Sequence, residues 1–159
     1  MSKFGGKRHY VYLAGAISED KRTYRWREIF TDLVKHDDLV VLNPCDTLYN
    51  KKLHDNGSWD LRTVADSKGK NLLKAKDYKL IEISSLLIAN LDYYTIKKPL
   101  IGTIMELDWS FKIFNIPVII ICADQENNPY CLHPWINHHA GAIVNDIYEA
   151  VDIVREFFV

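Results

Sequence analysis

The chain has 159 residues, 48% hydrophobic and 26% charged, which fits one domain large enough to bury a real core. Its formal net charge of −1 gives no overall electrostatic case for a nucleic-acid polymer or a membrane surface as partner. The cysteines Cys45, Cys122 and Cys131 are odd in number and lack metal-ligand spacing, so they read as free thiols in a reducing cytoplasm.

"MSKFGGKRH" is short and basic and lacks an apolar stretch, so it does not read as a signal peptide. Residues 1–8 are taken as a basic tail and residues 9–159 as one domain. "HYVYLAG" is β-rich and stops at Gly15, giving the first strand. Residues 20–36 place Trp26, Ile29, Phe30, Leu33 and Val34 on one helical face, with Ser18 or Asp20 as cap. "LVVLNP" is the second strand, ended by Pro44. Residues 45–66 are polar and irregular, too long for a plain connection, and are expected to form a functional loop. A helix over 68–83 precedes "SLLIANLD", whose continuous apolar run fits a strand covered on both faces. Next come a helix over 100–114, the strand "PVIIICA", a polar "HPWINHH" segment, a short strand "AIVN" and a helix over 146–158. "PVIIICA" is far shorter than a membrane span.

Strands alternate with helices throughout, which predicts a parallel sheet with helices on both faces. Ligands of such sheets bind at the carboxyl ends of the strands. The informative segments are therefore "AGAISED", "NPCDT", "NLDYY" and "ADQEN".

Small residues in "YLAGAIS" allow a ligand close to the backbone, although a strand–helix turn also needs its Gly. Asp77 falls near the apolar side of its helix. It reads either as a carboxylate at a cleft or as a surface residue between Lys76 and Lys79. Glu106 follows Gly102-Thr103 in the first turns of an apolar helix. There the helix dipole favours the ionised form, while Ile104, Met105 and Leu107 favour the neutral one. An ionised, poorly hydrated carboxylate suits a nucleophile at a sugar carbon; an ordinary helix glutamate is the alternative. His133, His138 and His139 have no accompanying metal framework, so no metal site is expected. Arg22, Arg25 and Arg27 read as solvated helix residues, with a phosphate role open.

Together, "VYLAGAIS", the W-R pair in helix 1, "LNP", a lone Asp before "LLIANLD", and "GTIMEL" followed by "PVIII" resemble the nucleoside 2-deoxyribosyltransferase family over residues 9–157. The resemblance implies a flavodoxin-like, doubly wound five-stranded parallel sheet of order 2-1-3-4-5 in a single α/β domain. It implies cleavage of an N-glycosidic bond, with Glu106 attacking C1′ of deoxyribose. Asp77 would orient the sugar hydroxyls and the nucleophile, and Tyr12 would hydrogen-bond the nucleophile. Gly15, Ala16, Ser18, Asn90, Gly102 and Thr103 would bind substrate. No cofactor is implied. The partners would be a nucleoside or nucleotide and an acceptor base.

The sequence departs from the family in two places. "KKPLIG" lacks the acid that often precedes the motif Gly, and Asp92 is the nearest substitute. "HPWI" stands where a C-terminal Asn-x-Met often enters the neighbouring subunit's site, placing His133 and Trp135 at the matching positions. A homo-oligomer with a shared site is expected. Transfer of deoxyribose between bases is the leading expectation. Hydrolysis of (deoxy)nucleoside 5′-monophosphates comes next, and a non-catalytic nucleotide-binding module last.

Overall fold

The computed structural model describes residues 8–55, 70–95 and 98–159. Strands β1 (His9–Gly15), β2 (Leu39–Leu42), β3 (Leu86–Asn90), β4 (Val118–Ile121) and β5 (Ala142–Val144) form one sheet of order β2-β1-β3-β4-β5. Every pairing is parallel. This is the predicted flavodoxin-like order. β1 lies between β2 and β3, so the chain turns one way after β1 and the other way before β3. That reversal opens a crevice above the carboxyl ends of β1 and β3.

The alternation of side chains along β1 decides what each helix meets. Val11 and Leu13 face one side, where α1 (Arg22–Val34) and α7 (Ile147–Phe158) pack through Trp26, Phe30, Val34, Ala150, Val151 and Val154. Tyr12 and Ala14 face the other, with Ile81 of α3 (Lys70–Glu82) and Leu107 of α4 (Ile101–Asp108). All five residues of β3 are buried, as expected of a strand covered on both faces. Tyr12 and Glu106 thus belong to elements on the same face of the sheet.

Three segments differ from expectation. Residues 45–66 were expected to be irregular, but Leu48–Asp55 is a helix, α2. Thr47 starts it: its Oγ1 accepts from the Asn50 N–H at 3.2 Å, an N-terminal cap in an otherwise polar stretch. Residues 56–66 lie outside the described residues, as do the tail residues 1–7 and positions 68–69. The helix over 100–114 is two pieces: α4 passes into a π-helical turn, Trp109–Ile113, and the chain leaves it through Asn115 at φ 51°. "HPWINHH" holds two short helices, α5 (Pro129–Leu132) and α6 (Pro134–Asn137), capped by the side chains of Asn128 and His133. All three cysteines are free and buried. Among the described residues, no helix is long and apolar enough to cross a membrane.

Candidate active site

A cavity of about 710 Å³ opens at the crevice. Its walls are the β1–α1 loop from Gly15 to Asp20, Asp77 of α3, Tyr93, Thr95, Lys98, Pro99 and Leu100 after β3, and Gly102, Thr103 and Glu106 of α4. Among the predicted site residues it brings together Gly15, Ala16, Ser18, Asp77, Gly102, Thr103 and Glu106, with Tyr12 directly behind Glu106.

Glu106 is held from below. The Tyr12 hydroxyl donates to its Oε1 at 2.7 Å. Burial pushes the Glu106 carboxyl up to about 7. The Tyr12 hydrogen bond opposes this, the Asp77 charge adds to it, and the Arg27 and Lys76 charges oppose it. The helix start and the apolar setting pull in opposite directions in sequence terms; in the folded protein the burial wins. Tyr12 itself is fully buried. Burial, then the neighbouring Glu106 and Asp77, raise its phenol well above the ordinary range.

Asp77 reaches the cavity. Lys76 Nζ lies 3.0 Å from its Oδ1 and also donates to the Pro44 carbonyl at 2.7 Å, tying α3 to the end of β2. Lys79 turns away and pairs with Glu82. Burial raises the Asp77 pKa, with Lys76 and Arg27 opposing. Two carboxyls of raised pKa thus share one wall of the cavity.

The glycines differ in what they permit. A Cβ at Gly15 would lie 3.2 Å from both the Asn90 carbonyl and the Trp26 ring, so the β1 end must stay bare. At Gly102 a Cβ would meet nothing within 4 Å, which leaves open space on the cavity side. Ser18 is buried, and its Oγ accepts from the Asp20 N–H at 3.1 Å, which stiffens the loop. Tyr93, at φ 66° on the opposite wall, carries backbone strain at the cavity mouth. The Arg22 guanidinium sits 5.1 Å over its ring.

Four predicted residues lie off this wall. Asp92 accepts from the Ala123 N–H at 3.1 and 3.3 Å, bracing β3 against the end of β4. Asn90 is buried, and its Oδ1 accepts from the Asp92 N–H at 2.9 Å. His133 and Trp135 line a neighbouring apolar groove of about 570 Å³ that shares Thr95 and Pro99 with the cavity. Among the described residues, no cluster of three His, Cys, Asp or Glu side chains could hold a metal ion.

One residue contradicts its sequence reading. Arg27 is not solvated; it is 0% exposed and points at the carboxyl end of β1. The signal lay in spacing: Thr23, Arg27, Phe30 and Val34 follow one helical stripe, so Arg27 falls on the buried face.

No family model matches the sequence, and no curated protein matches it. The fold does match solved structures. A 2-desoxiribosyltransferase from Leishmania mexicana superposes with a TM-score of 0.63 at 16% identity, over 95% of this chain and 99% of that one. A 2-deoxyribosyltransferase from Bacillus psychrosaccharolyticus gives 0.61 at 15% identity, over 89% of each chain. A CMP N-glycosidase from Clostridium botulinum gives 0.53 at 15% identity, over 92% and 98%. The chain has the flavodoxin-like fold of the solved 2-deoxyribosyltransferases.

Proposed function

We propose that this protein is an enzyme that cleaves the N-glycosidic bond of 2′-deoxynucleosides and transfers the deoxyribose to another base, with Glu106 as nucleophile. The observation that carries the reading is the Tyr12–Glu106 hydrogen bond of 2.7 Å beneath a cavity that Glu106 shares with Asp77. Glu106 Oε attacks C1′, the bond from C1′ to the base nitrogen breaks, and the electron pair leaves with the base, which takes up a proton. The sugar is then an ester on Glu106. A second base attacks C1′ from the face the first base left, and Glu106 departs as carboxylate. Two inversions give net retention. Asp77 accepts hydrogen bonds from the sugar hydroxyls. Asp92 lies off this wall, bonded to the Ala123 N–H, and is given no role in the step. No cofactor is needed.

An unphosphorylated nucleoside suits the wall charge. Glu19, Asp20, Asp77 and Glu106 all line it, and the cations beside it are already engaged: Lys98 with Glu19, Arg22 with Asp20 and Lys76 with Asp77. A phosphate dianion would have to compete with these carboxylates for its cations. The test incubates the protein with deoxyinosine plus adenine and, separately, with deoxynucleoside monophosphates alone. Deoxyadenosine in the first mixture is the expected result. Free base from the monophosphates alone would mark a nucleotide hydrolase instead.

Tyr12→Phe is expected to lower kcat about tenfold. Its lost hydrogen bond lowered the Glu106 pKa, so the acidic limb of kcat/KM should move to higher pH. A pH series on the variant checks both.

The active form proposed is a homo-oligomer whose partner copy covers the groove beside the cavity. Trp135 is 77% exposed there, in a groove also walled by Tyr94, Pro99, Ile104, Tyr130 and Ile136, an apolar surface for a monomer to leave in water. Trp135→Ala is expected to lower the sedimenting mass at a fixed concentration and raise KM about tenfold. A wild type that sediments as a monomer would remove the shared-site idea.

A further inference from the structure

Arg27 is a fully buried cation without an ion pair among the described residues. Its guanidinium donates instead to backbone carbonyls: Gly15 at 2.9 Å, Ala16 at 3.2 Å, Leu13 at 3.5 Å, and Thr23 of its own helix. It also lies 4.8 Å over the Trp26 ring. Carbonyl dipoles satisfy its N–H groups, but they do not neutralise a charge taken out of water. Arg27 belongs to the α1 face of the sheet and the cavity carboxylates Glu106 and Asp77 to the other, with the end of β1 between them. Gly15 stands between: a Cβ there would be 3.4 Å from Arg27 Nη2, and Gly15 also lines the cavity.

We infer that Arg27 is a positioning residue of this site: its guanidinium fixes the β1 carbonyls that shape the cavity wall, and its charge balances the partly buried carboxylates Glu106 and Asp77. The inference rests on reading Glu106 as the nucleophile. The sequence made Arg27 either a solvated residue or a phosphate ligand, and its burial removes both roles. The fork geometry explains why an arginine stands here, since one planar group reaches carbonyls of the strand end, the loop and its own helix at once. The charge acts in the matching direction on Glu106, on Asp77 and on Tyr12, lowering each. The charges that act on Glu106 are those of Asp77 and Lys76 from α3 and Arg27 from α1, beside the hydrogen bond from Tyr12 of β1. Of the two cations, Lys76 is partly exposed and bonded to Asp77 and Pro44, so Arg27 is the one with no solvent to screen it.

The test follows the Arg27 Nε–Hε resonance by NMR from pH 5 to 9 in the wild type and in Glu106→Gln. A titration step with midpoint near 7, absent from Glu106→Gln, is expected. A flat resonance in the wild type, or the same step in both proteins, overturns the inference. In parallel, Arg27→Gln should move the acidic limb of kcat/KM up by about one pH unit. Arg27→Lys keeps the charge but not the fork; it should leave the limb near its wild-type position while kcat falls. An unmoved limb in a folded Arg27→Gln also overturns the inference, and if that variant does not fold, the wild-type titration decides. The NMR experiment needs no turnover, so an inactive protein would sink the glycosidic reading and leave the charge coupling to be judged alone.

Discussion

Glu106→Gln is expected to lower the transfer rate by about a thousandfold or more, because a neutral amide cannot form the glycosyl ester. Gln keeps the shape and can still accept from the Tyr12 hydroxyl, so the loss would be chemical rather than structural. Stability supplies an independent check. The carboxyl has a folded pKa of about 7 against an ordinary 4.5. Between those values the folded state holds more protons than the unfolded chain, so wild-type stability is full below the lower value and falls as pH rises to the upper. Above pH 7 the ionised carboxylate is a net cost. Glu106→Gln has no such group and should be more stable than wild type there by about 3 kcal/mol, with little difference at pH 4. Asp77 leaves a residual slope of the same sign in both proteins. Denaturation curves at pH 4 and 8 measure it. A variant that is inactive and also less stable at pH 8 would mean that Glu106 holds the fold together rather than waiting for substrate.

That trade of stability for reactivity was only half visible in the sequence. The parallel sheet followed from alternation, its strand order came with the family resemblance, and the place of Glu106 at the carboxyl edge followed from the two together. Tyr12 and Glu106 meet because odd and even residues of β1 face opposite helical layers, a rule that holds for any strand. The magnitude of the Glu106 shift was not legible. Helix dipole and apolar neighbours act in opposite senses, and their balance depends on how Tyr12, Asp77 and α3 close over the carboxylate. Asp92 looked like an available acid because it ends a strand. Only the register of β3 against β4 shows that its oxygens share the Ala123 N–H, off the wall that holds Glu106 and Asp77. Arg27 shows a different gap. Charge argued for solvent and periodicity argued for burial, and the carbonyls that settle the matter come from the far end of another element. The helix Leu48–Asp55 turned on one threonine cap within a polar stretch.

Asp77→Asn brings the two halves of the site together. It is expected to lower kcat about a hundredfold, since an amide can accept a sugar hydroxyl but no longer offers a charge-assisted hydrogen bond as positive charge develops on the sugar. Its effect on pH dependence should run against that of the other variants. The Asp77 charge raises the Glu106 pKa; removing it lowers that pKa. Lys76, freed from the carboxylate 3.0 Å away, then acts more fully on Glu106, in the same direction. The acidic limb of kcat/KM should therefore move to lower pH in Asp77→Asn and to higher pH in Tyr12→Phe. A variant that merely loosened the fold would shift both limbs alike or blur them. Opposite shifts from two substitutions on different elements require that Asp77, Tyr12 and Glu106 share one buried field, and identical shifts would show that they do not.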